Sequence, residues 1–336
     1  MAQRKRTSSS RSRKSAAKTA QSLGISPVLL AILIIFGAVF LYSAYLELGT
    51  DEVPQTAVDS FIAKDAELEI HFIDVGQGDC SLIKWEDSAM LIDCGERENA
   101  DAVLKYLKKQ GVEKLDYVIA THPHSDHIGG MGDIISAVEA GKVIAPKVAS
   151  DLTPTTKTYE RFLQALRDKG MRLTAAKPKT VYAFETDAET EGKKPPSFEI
   201  LAPNGDYDDL NNYSIVIRLT YGSTSYLFTG DAEKESENDI LELGEKLDSD
   251  LLKVGHHGSS SSTTDDFLDE VSPKYCVIQC GAGNKYGHPH AETVEKIEAA
   301  GAKWYSNDRD GNIVVYSDGE SIFVQTENDS EKNKKD

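Results

Sequence analysis

Three of the chain's eight histidines fall within six residues, His122-Pro123-His124-Ser125-Asp126-His127, directly after the apolar run Leu115 to Ala120. The run reads as a buried strand, and Ile128-Gly129-Gly130 behind the cluster reads as a helix start. A strand end followed by a glycine-rich helix start sets imidazoles and a carboxylate on the rim of a sheet, where they can converge on an ion. His122 and His124, being alternate residues, share a direction, whereas Asp126 and His127 sit further round toward the helix. The motif can therefore serve two ions. The helix N-terminus beside it adds partial positive charge and free N–H groups, which suit an anionic ester oxygen. A lone histidine here would read as a loop residue or a cap, but the H-x-H-x-D-H spacing does not.

The rest of the chain supplies the sheet this rim needs. Leu68 to Val75 alternates as a half-buried strand, and Cys80 to Trp85 with Met90 to Asp93 forms a hairpin about Glu86-Asp87-Ser88. Helices are expected at Asn99 to Gln110, from about Ile128 to Glu139, at Tyr159 to Lys169, Glu235 to Leu247, Asp265 to Val271 and Ala291 to Ala300. Further strands are expected at Val143 to Ala145, Phe198 to Ala202, Ser214 to Tyr221, Ser225 to Thr229, Leu251 to Val254 and Tyr275 to Gln279, with strand pieces to about Val324. Hairpins mixed with helices in one run predict an α/β domain of two sheets sandwiched between helices, over 68–325. Thr326 to Asp336 has no apolar residue and reads as a solvated tail.

Charge and hydropathy divide the N-terminal part. Seven of the 37 basic residues lie in the acid-free, Ser-rich leader 1–24, leaving 30 against 55 acids, a charge of about −25 on the remainder. Such a domain repels nucleic acid at long range, which excludes non-specific DNA coating; a polyanionic substrate must be held locally. No charged residue occurs between Gln21 and Leu46. At about 1.5 Å per residue, 25–46 is long enough to cross a hydrocarbon core of about 30 Å and is expected to be a transmembrane helix. The basic leader then stays in the cytoplasm and the acidic, Pro-containing stalk 47–67 and the domain lie outside the cell membrane.

Cys276 and Cys280 are too far apart along one strand to bond each other. Cys80 and Cys94 flank the hairpin and can face each other across it; two small buried thiols is the default expectation there.

The histidine cluster resembles that of the metallo-β-lactamase superfamily, whose αββα sandwich would span Leu68 to Val324. The closer likeness is to the hydrolase domain of ComEC-type DNA-uptake proteins, through Asp74-Val75-Gly76-Gln77-Gly78-Asp79, Leu91-Ile92-Asp93-Cys94-Gly95, Thr121 to Gly130, Thr229-Gly230-Asp231, His256-His257-Gly258-Ser259 and Asn284-Lys285-Tyr286-Gly287-His288-Pro289. The resemblance implies two divalent metal ions, Zn or Mn. His122 and His124 would hold the first, Asp126 and His127 the second, with Asp231 between them. Two such ions supply a nucleophile and neutralise charge on the attacked group. His256 follows in the order in which the superfamily supplies its last metal-binding histidine, and His257 is the other candidate, with a catalytic role if it is not a ligand.

Asp126 would also be essential to catalysis, and His288, in a polar loop with His290, Lys285 and Tyr286, could protonate a leaving group or hold a phosphate. An ordinary turn accounts for that loop too. Asp74 and Asp93, which end strands, and Asp79, in the Gly76-Gln77-Gly78-Asp79 turn, would orient imidazole N–H groups. No histidine occurs between His127 and His256, where the wider superfamily places another ligand; Leu210-Asn211-Asn212-Tyr213-Ser214 stands there, as it does in similar form in the ComEC-type branch. Amide and hydroxyl in place of imidazole shift the first site from Zn toward Mn. Asn211, Asn212 and Ser214 are candidate substrate contacts, as are Ser259, in a Ser/Thr run that also suits a helix cap, and Lys285. His71 is expected to be a strand residue without a role.

These features predict a membrane-anchored, extracytoplasmic metal-dependent hydrolase of phosphodiesters or phosphate esters, with single-stranded DNA as the substrate the resemblance implies. The alternatives are a phosphocholine esterase-like hydrolase of cell-wall or surface polymers, and a non-catalytic metal-binding surface domain. The large multi-span channel of the competence proteins is not inherited with the fold.

Overall fold

The computed structural model describes residues 66–185, 194–244 and 246–328. The leader, the apolar span 25–46, nearly all of the stalk and the tail beyond 328 lie outside them. Among the described residues no helix is long and apolar enough to cross a membrane.

Apolar side chains alternate across strands that are covered on both faces. Along β2 (Ser81–Trp85) and β3 (Ser88–Ile92), Ile83, Trp85, Met90 and Ile92 point between the sheets, and Leu82, Ala89 and Leu91 point toward helices. The β2–β3 turn is one residue shorter than expected, because Ser88 pairs with Trp85. Glu86, at φ 50, takes the left-handed conformation that a two-residue hairpin loop requires.

The first sheet continues with β1 (Leu68–Phe72), β4 (Lys114–Ile119), β5 (Glu139–Ala145), β6 (Leu173–Ala175), β14 (Ile313–Ser317) and β15 (Ile322–Thr326), in the order β15-β14-β1-β2-β3-β4-β5-β6. Thr326, placed in the tail by its polarity, is buried at the end of β15. The second sheet, β13-β12-β11-β10-β9-β8-β7, is built from β7 (Val181–Ala183), β8 (Ser197–Ala202), β9 (Val216–Tyr221), β10 (Thr224–Phe228), β11 (Leu251–Lys253), β12 (Tyr275–Ile278) and β13 (Lys303–Ser306).

Between the sheets lies an aromatic-rich core that includes Phe72, Trp85, Phe198, Tyr226 and Phe228. Helices α1 (Ala100–Lys109), α3 (Met131–Ala137) and α4 (Lys157–Asp168) cover the outer face of the first sheet through Val103, Leu107, Met131, Ile134, Ile135, Phe162 and Leu166. Helices α5 (Lys234–Glu242), α6 (Asp265–Val271) and α7 (Ala291–Ala299) cover the second through Ile240, Phe267, Leu268, Val271 and Ile297. The layers are the αββα sandwich that the patterning predicts.

Two helices differ from expectation. The one expected from Ile128 to Glu139 is two pieces, α2 (Ser125–Ile128) and α3, and Glu139 already belongs to β5. The break falls at Gly129-Gly130, where a Cβ on Gly129 would collide with Ser125 O and one on Gly130 would press on the Ala100 Cβ at 3.2 Å. The one expected to reach Leu247 stops at Glu242, with Gly244 left-handed just beyond, and Leu247 is buried in the core beneath the helix. All four cysteines are buried free thiols, and burial pushes Cys80 and Cys94 well above the ordinary thiol range.

Strands β3 to β6 run parallel in one sheet and β10 to β13 run parallel in the other. Their C-terminal ends carry Asp93 after β3, Thr121 to His127 after β4, Asp231 after β10 and His256-His257 after β11. Ends of parallel strands are where α/β sheets place their ligands.

Candidate metal centre

Asp79, His127, Asp231 and His257 are all buried and offer ligand atoms within 4.8 Å of one another. His127 Nε2 lies 3.2 Å from Asp231 Oδ2, and His257 Nε2 lies 3.4 Å from the same oxygen and 3.3 Å from Asp126 Oδ2. None of these approaches has hydrogen-bond geometry. His127 Nε2, His257 Nε2, Asp231 Oδ1 and Asp79 Oδ1 are four of the nine buried side-chain polar atoms left without a hydrogen bond among the described residues. Orphaned buried polar atoms are rare and costly, and four at one point are what a cation would satisfy.

The outer nitrogens of both imidazoles are already committed. His127 Nδ1 donates to Asp93 Oδ2 at 2.7 Å, and Asp93 accepts as well from Thr121 N at 2.8 Å and Thr121 Oγ1 at 2.6 Å. His257 Nδ1 donates to the Gln279 carbonyl at 2.9 Å. Each bond leaves Nε2 as the inward lone pair that a metal ligand needs. The backbone helps aim His257: His256 and His257 stand at φ 47 and φ 55, two consecutive left-handed non-glycine residues. Such a stretch costs on the order of 1–3 kcal/mol per residue and persists where surrounding bonds hold it, as at functional sites.

Electrostatics follow the same geometry. Burial would push the Asp231 carboxyl up, but the His127 and His257 imidazoles close beside it hold it well below the usual carboxylate range. For His127 and His257 burial acts downward, but the Asp231 carboxylate, with Asp93 beside His127 and Asp79 beside His257, raises both imidazoles well above the ordinary value. His122 goes the other way: burial and the neighbouring His127 keep it neutral.

A second group adjoins the first. His122 Nε2 and His124 Nδ1 face each other at 3.0 Å, with Asp231 Oδ2 at 3.8 Å from His122 Nε2. Ser214 Oγ lies 3.2 Å from His122 Nδ1 and accepts from Asp231 N at 3.0 Å, so the residue in the place of the missing histidine ties both groups together from behind.

The other expected residues divide. His256 stands on the cavity side, its Nδ1 2.9 Å from Glu233 Oε1 and its Nε2 3.8 Å from Asp231 Oδ2, as far as His122 Nε2 is, while His257 is the histidine of the buried group. Asp79 joins the buried group from the side of the outer nitrogens, as expected of a carboxylate that orients imidazoles: its Oδ1 lies 3.1 Å from His257 Nδ1 and its Oδ2 3.9 Å from His127 Nδ1. Gly78 makes that possible, since at φ 139 its missing Cβ lets the loop lie against Asp126, whose carbonyl accepts from Asp79 N at 3.1 Å. Asp74 does not reach the histidines: it is exposed and its Oδ1 accepts from Gly76 N at 3.0 Å, closing its own turn.

Asn212 is buried and accepts from Glu233 N and Ser236 N, so it caps α5 and leaves the cavity to Asn211. Ser259 bonds to Ser261 within its own loop. His71 is a buried strand residue held between Tyr106 and Glu69. A cavity of about 340 Å3 opens over the cluster, lined by Gln77, His124, Asp126, Asn211, His256 and His288, among others. His288 there is pushed down to about 4 by burial and by His257 and His256.

Two supporting residues were not anticipated. Lys253, buried in β11, pairs with Asp79 Oδ2 and donates to Gly230 O at 3.2 Å, linking the loops that carry Asp79 and Asp231. The buried Gln279 side chain accepts from Ser81 Oγ and donates to the carbonyls of Ile73 and Cys80, joining the second sheet to the loop of Asp79. The available signals were a lone lysine in the apolar run Leu251 to Val254 and a glutamine ending Tyr275 to Gln279.

Fold and cluster together define a metal-binding domain of a known class. The chain belongs to the metallo-beta-lactamase superfamily, whose family model matches residues 73–281. It is 29% identical to ComE operon protein 3 of Bacillus subtilis over 267 residues, 74% of this chain and 33% of that protein. It is 28% identical to competence protein ComA of Neisseria gonorrhoeae over 280 residues, 82% of this chain and 35% of that protein. These are ComEC-type relatives, and the chain spans about a third of their length. Among solved structures, the CmlA beta-hydroxylase E377D mutant shares the fold at a TM-score of 0.50 and 12% identity, over 90% of this chain and 59% of that one.

Proposed function

We propose that the protein is a metal-dependent phosphodiesterase acting on single-stranded DNA outside the cell membrane, to which the apolar run 25–46 tethers it. One observation carries the hydrolytic part: imidazole nitrogens and carboxylate oxygens left without hydrogen bonds converge at the floor of an open cavity. His127, His257, Asp231 and Asp79, with Asp126, would hold one divalent ion, and His122, His124 and Asp231 a second. When bound, such ions activate water and neutralise charge on a phosphoryl group.

The chain's own residues do the positioning. Asp93 and the Gln279 carbonyl keep His127 and His257 in the tautomer that offers Nε2, and Ser214 aligns His122 with Asp231. His288, Gln77 and Asn211 face the substrate from the cavity wall. The DNA substrate and the membrane tether draw support from the ComEC-type relatives and from the sequence of the leader and apolar run.

The test is metal-dependent turnover by the purified protein. With Mn2+ or Zn2+ it is expected to cleave single-stranded DNA, to leave a chromogenic phosphocholine ester intact, and to lose activity in Asp126→Ala. Turnover of the choline ester alone would replace the substrate class. No turnover on either, together with no bound metal by elemental analysis, would leave only a non-catalytic surface domain.

A further inference from the structure

Only three large apolar side chains among the described residues are exposed, Val181, Leu243 and Tyr286, and of these Tyr286 alone lines the cavity over the histidine cluster. It is 52% exposed, yet the loop that presents it is tightly held. Asn284 Oδ1 accepts from Tyr286 N at 3.1 Å and from His288 N at 3.0 Å, while its Nδ2 donates to Gly281 O and His288 O. The loop thus holds a half-exposed aromatic ring in a fixed place on the cavity wall, the placement a stacking contact needs. The ring stacks beside His288, with centroids 5.6 Å apart and an interplanar angle of 21°, and His288 in turn lies 6.0 Å from the His257 ring. The platform is thus one side chain removed from the cluster.

Lys285 decides what the platform suits. Its Nζ rests 4.9 Å from the Tyr286 ring centroid, so a cation already stands beside the ring. A quaternary ammonium group would be repelled there, whereas a planar base with a phosphate beside it would take the ring and the ammonium together.

We propose that Tyr286 is a stacking platform for a nucleobase of a single-stranded nucleic acid whose scissile phosphate lies at the histidine cluster, with Lys285 taking a neighbouring phosphate. The inference rests on the phosphodiesterase reading above and extends it: the base next to the reacting phosphate is held by its face, without sequence readout, and a choline headgroup is disfavoured.

The experiment compares a fluorescent 12-residue oligothymidylate with a 12-residue abasic strand of the same charge, using the full chain. Binding is read by anisotropy at low salt without divalent metal, and cleavage by kcat and KM with Mn2+. Base stacking on an aromatic side chain contributes about 1–3 kcal/mol, so Tyr286→Ala is expected to weaken the oligothymidylate on the order of tenfold, in Kd and in KM. The abasic strand should bind wild type and Tyr286→Ala alike, Tyr286→Trp should retain the preference for bases, and Lys285→Gln should weaken both strands. Equal binding of the two strands by wild type, or an equal loss on both in Tyr286→Ala, would overturn the stacking role. The underlying reading is tested separately by wild-type turnover of methyl p-nitrophenyl phosphate: if that persists while the strands are not distinguished, only the platform is lost. If no phosphodiester is cleaved, both are lost.

Discussion

Lys253→Met isolates the part of the centre that needs no metal to form. Lys253 and Asp79 side chains are 2% and 6% exposed, and the ammonium also satisfies Gly230 O. Methionine keeps the length and apolar stem but leaves the buried Asp79 carboxylate without its lysine counter-charge, while Gly230 O keeps its bond from His256 N. Removing one partner of a buried pair costs about 3–5 kcal/mol. That loss should appear in urea unfolding with a chelator present, followed by the fluorescence of Trp85, which is buried between the sheets.

Asp79 belongs to the buried group whose ligand atoms lie within 4.8 Å of one another, so a bound divalent ion supplies a counter-charge that the variant otherwise lacks. Any ligand at 100 times its dissociation constant adds about 2.7 kcal/mol to the stability of the folded state that binds it. In Lys253→Met the gain from saturating Mn2+ should exceed the wild-type gain, because the ion also relieves the stranded carboxylate. The gap between the proteins should therefore narrow with metal. A loss below about 1 kcal/mol with chelator would show that the pair does not hold the loops. A gap that ignores metal would show that Asp79 does not face the ion.

Gly78→Ala should destabilise by on the order of 1–3 kcal/mol and lower bound metal by elemental analysis, since the new Cβ meets the Asp126 carbonyl at a backbone angle that side chains rarely adopt; a normal melt and full metal content would refute the close approach. Gln279→Leu strands the Ile73 carbonyl and the Ser81 hydroxyl, while Cys80 O keeps its bond from Ile73 N; at about 1–3 kcal/mol for each group left dry, a loss of a few kcal/mol in urea unfolding is expected, and less than about 1 kcal/mol would count against the cross-sheet tie. Glu237 is buried beneath α6 and accepts from Thr264 N and Oγ1, yet burial raises its carboxyl above the ordinary 4.5. Its contribution is therefore fully present below about 4.5 and lost as pH rises through the raised folded value, so wild type should lose stability relative to Glu237→Gln across that window. A difference that stays flat from acid to neutral pH would refute the assignment.

Much of the centre was legible because ligand chemistry is local. The H-x-H-x-D-H cluster needs a strand end and a turn, both written in its flanking residues, and His122, His124, Asp126 and His127 do stand together. Asp231 was legible from its own strand end, and Ser214 from its place in the chain, where a histidine is missing. Choosing between His256 and His257 was not possible, because the two are adjacent and the choice depends on a left-handed turn held by Gly230 O and by the Gln279 carbonyl, on other strands. Asp74 and Asp79 show the same limit within a single motif. Both border a glycine turn, yet one closes its own loop and the other reaches the imidazoles, because Gly78 lets that loop lie against Asp126.

By itself, then, the sequence determined the layers of the sandwich, through the period of its apolar residues, and the type of chemistry, through residue types at strand ends. Only the tertiary structure decided which nitrogens and oxygens converge, with Lys253 and Gln279 tying the loops behind them. The physical reason is that periodicity and ligand type are properties of neighbours along the chain. Convergence joins loops from two sheets, more than 150 residues apart between Asp79 and Asp231, and is set by packing that no local pattern records.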